Sequence, residues 1–187
     1  MAHIGVLALQ GDYEKHARSL ERSGAQVSEV RTALELEAVD GLVIPGGEST
    51  TMLKLLDRES LFEPLREFGL RKPIFGTCAG AILLAAKVEN PEQASLGLVD
   101  ISVQRNGYGR QLDSRVARIK GEGFGILEAV FIRAPIIRKT GPGVHVLASY
   151  NGDPVLVEEG RHLVATFHPE LSADDRVHAY FLAKVTA

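Results

Sequence analysis

Tryptophan is absent from the chain, methionine occurs twice, and there is a single cysteine among 187 residues. One thiol, Cys78, cannot form an intrachain disulfide or a cysteine-based zinc site, so it is either buried filler or chemistry. Long apolar runs are missing too. Stretches such as Ala79 to Ala86 fall far short of a bilayer span, and the N-terminus has no basic segment leading into an apolar core. Neither a membrane partner nor a secretory leader is expected, and the reading is cytoplasmic. An excess of one charge is lacking as well. Lys and Arg number 21 against 24 Asp and Glu, for a formal charge of −3, and no basic run offers the stripe that nucleic acid would require.

Repeats and low-complexity linkers are likewise absent, so residues 1–187 are expected to form a single domain. Apolar residues make up 45% and charged residues 24%, ordinary values for a globular protein. In the first half, short apolar runs alternate with segments of helical spacing. Ile4 to Leu9 reads as a strand, and Tyr13, Ala17 and Leu20 as one face of a helix. Val27 to Val30 and Asp40 to Ile44 read as strands, with Ser49 or Thr50 capping the helix after the second. Pro73 to Phe75 reads as another strand, followed by a helix from Ala79 to Lys87. This alternation predicts an α/β fold: a three-layer sandwich whose mostly parallel central sheet is flanked by helices.

The second half is rich in extended segments: Leu98 to Gln104, Arg115 to Ile119, Val130 to Arg133, Val144 to Tyr150, Pro154 to Glu158 and Leu163 to Phe167. Strand following strand, with Asn151-Gly152-Asp153 as a hairpin turn, predicts antiparallel additions at one side of the sheet. A helix from about Ala173 to Lys184 closes the chain, with Val177, Tyr180, Phe181 and Lys184 on one face.

Three short motifs carry chemistry. Gly76-Thr77-Cys78-Ala79-Gly80 has the G-x-nucleophile-x-G form of a nucleophile elbow, set between a predicted strand and a predicted helix. Small residues on both sides permit the sharp turn, the helix N-terminus favours a negatively charged sulfur, and the Ala79 amide can face an oxyanion. His168-Pro169-Glu170 places two side chains on one side of an extended backbone. Glu170 can then fix the tautomer of His168 while the other ring nitrogen accepts a proton from Cys78. Pro45-Gly46-Gly47-Glu48-Ser49-Thr50 links a strand to a helix and suits an oxyanion, a bound anion or an ordinary turn; neither G-x-G-x-x-G nor a P-loop occurs. The histidines at 3, 16, 145, 162 and 178 show no zinc-ligand spacing, so no metal is implied.

In this order, the Gly-Gly loop, the cysteine elbow and the His-Pro-Glu pair resemble the class I, triad-type glutamine amidotransferases. Further segments are similar to the glutaminase subunits of pyridoxal 5′-phosphate synthases: Ile4 to Gly11, Pro45 to Thr51, Arg105-Asn106 with Gly109-Arg110-Gln111, Phe131 to Pro135, and Phe167 to Glu170. The likeness runs from about residue 3 to residue 182. It implies that Cys78, His168 and Glu170 are catalytic, that Gly47, Glu48, Ser49, Arg105, Ile132 and Arg133 hold L-glutamine, and that the Gly47 and Ala79 amides form the oxyanion hole. The partner it implies is a separate pyridoxal 5′-phosphate synthase (lyase) subunit, joined in a hetero-oligomeric complex and receiving ammonia. No cofactor is implied, pyridoxal phosphate being a product. Docking is expected to switch the glutaminase on, with the first helix and the Gln10 loop at the contact and Asp12 to His16 and Gly107-Tyr108 tuning it. Three rivals remain: a glutaminase serving another synthase, an α/β cysteine hydrolase of different substrate, and a catalytically silent binding module.

Overall fold

The computed structural model describes residues 1–105 and 114–187. Its first half keeps the predicted alternation: β1 (His3–Leu7), α1 (Tyr13–Arg22), β2 (Gln26–Val30), α2 (Ala33–Glu37), β3 (Gly41–Ile44), α3 (Ser49–Arg58), α4 (Phe62–Arg71), β4 (Ile74–Thr77) and α5 (Ala79–Leu84). There follow β5 (Ala85–Glu89), β6 (Val99–Gln104), β7 (Ser114–Gly121), β8 (Gly125–Ile132), β9 (Ile136–Thr140), β10 (His145–Tyr150), β11 (Asp153–Glu159) and β12 (His162–Ala165). A 3₁₀ turn at Pro169–Leu171 leads to α6 (Arg176–Thr186).

The main sheet runs in the order β2-β1-β3-β4-β12-β11-β10-β7-β8. β2, β1, β3, β4 and β12 are parallel, and from β12 outward each neighbour is antiparallel. Both faces are covered, which is why β3 is an unbroken apolar run and β4 is buried throughout. Leu42, Ile44, Ile74 and Val164 face a core shared with α2, α3, α4 and α5, whereas Val43, Phe75, Leu163 and Ala165 face one shared with α1 and α6. The result is a single three-layer α/β domain.

Three expectations are corrected. Leu163 to Phe167 is not an antiparallel addition, because β12 pairs in parallel with β4. The strand predicted from Leu98 lies outside the main sheet: β6 pairs with β5 and β9 in a separate small sheet. The helix predicted to reach Lys87 stops at Leu84, since Lys87 and Val88 pair with Ser102 and Val103. That ladder overrides the helical preference of Ala85 and Ala86. The hairpin stands as expected, with Asn151 and Gly152 at φ 50° and 83° between β10 and β11.

Candidate active site

β4 ends at Thr77, and Cys78 adopts φ 52° and ψ −106°, a conformation rare for a residue with a side chain. This turn reverses the chain between β4 and α5, and Ala79 opens the helix. The glycines on either side are dictated by space. A Cβ at Gly76 would lie 2.5 Å from the Gly80 carbonyl oxygen, and one at Gly80 would lie 2.2 Å from that of Ile44. The elbow is pinned to β12 by the Cys78 amide donating to Ala165 O at 2.9 Å.

Beyond β12 the chain leaves the strand, and the His168 amide donates to Val130 O of β8 at 2.8 Å. The two acid–base residues therefore do not meet by strand alternation. They meet because the turn at Pro169 folds Glu170 back, bringing its Oε2 to 2.9 Å from His168 Nδ1. The His168 ring and Cys78 both pack against Gly46, which brings the imidazole beside the thiol. Burial draws the imidazole pKa down, but the hydrogen bonds and charges of Cys78 and Glu170 outweigh it and raise it to about 10. Cys78, His168 and Glu170 are 7%, 8% and 6% exposed, so the cluster is shielded without being sealed. Gly46 lies between the two reacting side chains: a Cβ there would come 2.6 Å from His168 Cε1 and 3.2 Å from Cys78 Cβ.

The Gly-Gly loop crosses this cluster. Gly47 has φ 132° and packs on Gln10, whose amide donates to Glu48 O at 2.8 Å. Here the sequence reading is corrected, because Glu48, not Ser49 or Thr50, caps α3. Its carboxylate accepts from the Thr50 amide at 3.1 Å and the Thr51 amide at 2.6 Å. Burial pushes this carboxyl pKa up, and the hydrogen bonds from Thr51 and Thr50 bring it below its ordinary value. Ser49 is turned inward, its Oγ donating to Gln93 Oε1 at 3.1 Å. Arg105 reaches back to the same loop, 2.8 Å from Thr50 Oγ1 and 3.4 Å from Glu48 Oε1.

From the other side, β8 brings the Ile132 carbonyl to 3.9 Å from Cys78 Sγ, and Arg133 follows at φ 45°. β8, far from the elbow in sequence, thus comes up against Cys78. Of the remaining motif residues, Asn106, Gly107, Tyr108, Gly109, Arg110 and Gln111 lie outside the described residues.

Sequence reading overlooked what lies behind Glu170. His16 and His178 are fully buried, 2.8 Å apart from Nδ1 to Nε2, and His16 Nε2 stands 3.5 Å from Glu170 Oε1 and 3.3 Å from Thr77 Oγ1. A usable signal was present, since His16 shares the buried helical face of Ala17 and Leu20.

The profile of the SNO glutamine amidotransferase family matches residues 6–187. The pyridoxal 5′-phosphate synthase subunit PdxT of Solibacter usitatus is 59% identical over 99% of this chain and all of its own length. That of Koribacter versatilis is 55% identical over 97% of this chain and 95% of its own. A crystal structure of a glutamine amidotransferase superposes with TM-score 0.92 at 44% identity, covering 98% of this chain and 99% of that one. PurLQS from Thermotoga maritima shares the fold alone, with TM-score 0.65 at 17% identity over 100% of this chain and 96% of that one. The chain belongs to the SNO glutamine amidotransferase family.

Proposed function

We propose that this chain is the glutaminase of a pyridoxal 5′-phosphate synthase, releasing ammonia from L-glutamine and passing it to a separate synthase subunit. The observation that carries the reading is a buried imidazole, His168, hydrogen-bonded to Glu170 and packed with Cys78 against Gly46. Cys78 Sγ attacks the carboxamide carbon of glutamine, and the amides of Gly47 and Ala79 receive the oxyanion. His168, having taken the proton of the Cys78 thiol, gives it to the departing nitrogen as the C–N bond breaks, leaving a thioester and ammonia. The neutral ring then takes a proton from water, hydroxide attacks the thioester, and glutamate leaves as the thiol is restored. Glu170 keeps Nδ1 protonated, so that the opposite nitrogen does this work.

Glu48, Ser49, Arg105, Ile132 and Arg133 hold the amino-acid portion of the substrate. Residues 1–187 act as one glutaminase domain within a cytoplasmic hetero-oligomeric complex. The Gln10 loop and α1 form the docking side, so the free chain is nearly idle. The test measures glutamate release by the chain alone and with a purified synthase subunit, with Cys78→Ala as the blank. Release that is low alone, rises with the partner and vanishes in the variant is expected. Release retained by Cys78→Ala would sink the reading, and full activity without the partner would sink activation by docking.

A further inference from the structure

Glu170 is buried, and its two oxygens face different imidazoles. Oε2 is hydrogen-bonded to His168, while Oε1 has no hydrogen-bond partner among the described residues and looks toward His16 Nε2 at 3.5 Å. A carboxylate only accepts, so the nitrogen facing it is favourable only when it carries a hydrogen. If Nε2 is the protonated nitrogen of a neutral His16, Nδ1 is an acceptor and must receive a hydrogen from His178 Nε2, 2.8 Å away. The remaining nitrogen, His178 Nδ1, is buried without a hydrogen-bond partner among the described residues, which suits a bare lone pair better than a stranded N–H. Both rings are kept neutral. Burial, then the charges of His178 and His168, lower His16 well below the usual histidine value, and burial draws His178 to about 4 against the opposing influence of Asp175.

We infer that His16 is a positioning residue for the glutaminase reaction: oriented by His178 on α6, it presents Nε2–H to Glu170 and holds the carboxylate in the plane that aims His168 at Cys78. Every hydrogen in the row then points toward the carboxylate, from His178 to His16 and from His16 to Glu170 on one side, and from His168 Nδ1 to the other oxygen on the opposite side. Thr77, one residue before the nucleophile, offers its hydroxyl oxygen to the same His16 nitrogen, tying the row to the elbow. This assignment rests on the proposed glutaminase reading.

The experiment measures steady-state glutamate release with the synthase subunit present for wild type, His16→Leu and His16→Gln. Leucine fills the space without a donor, whereas glutamine keeps an N–H for Glu170 and an acceptor for His178. His16→Leu is expected to lower kcat about 10- to 100-fold with KM within about twofold, and His16→Gln to recover most of that loss. A purely space-filling His16 predicts the reverse order. Wild-type kcat in His16→Leu, or no recovery in His16→Gln, overturns the inference. ¹⁵N NMR of the histidine rings in the wild-type chain decides independently of whether the variants fold: Nε2–H at His16 is expected, and Nδ1–H overturns it. Activity retained by Cys78→Ala would strike the glutaminase reading itself and is distinguishable, because the ring tautomer is read without turnover.

Discussion

The two halves of the chain contribute to the site in different materials. The parallel half supplies the turns: a strained elbow at Cys78, a glycine loop packed beside it, and the starts of α3 and α5. The antiparallel half supplies side chains, His168 and Glu170, on a segment anchored to β8 and β12. The halves join where β12 lies against β4, pairing Leu163 with Phe75 and Ala165 with Thr77. Neither half has a complete site, so the seam is the place to attack.

Acid should open the seam with the largest effect. His162 Nδ1, at the start of β12, accepts the Ile74 amide of β4 at 3.1 Å, and burial holds this ring down to about 4, as it does His178. For both groups the folded value lies below the unfolded one, so their stabilisation is complete above about pH 6.5 and lost as pH falls toward 4. Each contributes on the order of 3 kcal/mol at most. His168 has the opposite sign: raised to about 10, it stabilises the fold fully below about pH 6.5 and loses that contribution as pH rises through 10. Denaturant titrations across this range should show stability dropping steeply between pH 6.5 and 4, and a flat acid limb would refute the neutral seam.

Gly46→Ala separates the halves without unfolding them. Its Cβ would displace the His168 ring, so kcat for glutamate release should fall by at least about 100-fold while the thermal midpoint moves little. Activity within tenfold of wild type would mean that the ring has slack.

Glu48→Ala tests the parallel half alone. Losing the α3 cap should cost about 1 kcal/mol in chemical denaturation, with no change in the acid limb. An unchanged midpoint would show that the capping bonds are replaced by water.

What was legible followed from locality. The elbow spans five neighbouring residues whose glycines have one steric cause, and His168 and Glu170 are close enough in sequence to be read as a pair, although a turn and not a strand joins them. Ser49 and Thr50 are the residue types that ordinarily cap helices, and Glu48 took the place because its longer side chain folds back on two amides. Pairing across distance was not legible. Nothing near Ala85 announces β6, and β12 has the same apolar look whether it joins parallel or antiparallel neighbours. His16 and His178, 162 residues apart, are one feature only after folding.

The position of β12 has a further consequence, in the order of biosynthesis. A strand made near the end of the chain occupies the middle of the sheet, between β4 and β11. While the ribosome is still short of residue 162, β1 to β4 can assemble, but the far edge of β4 stays unpaired and the emerged cysteine has neither base nor carboxylate beside it. Insertion of β12 closes that edge and carries His168 and Glu170 to the elbow in one event, so a chain stopped before it is expected to be aggregation-prone.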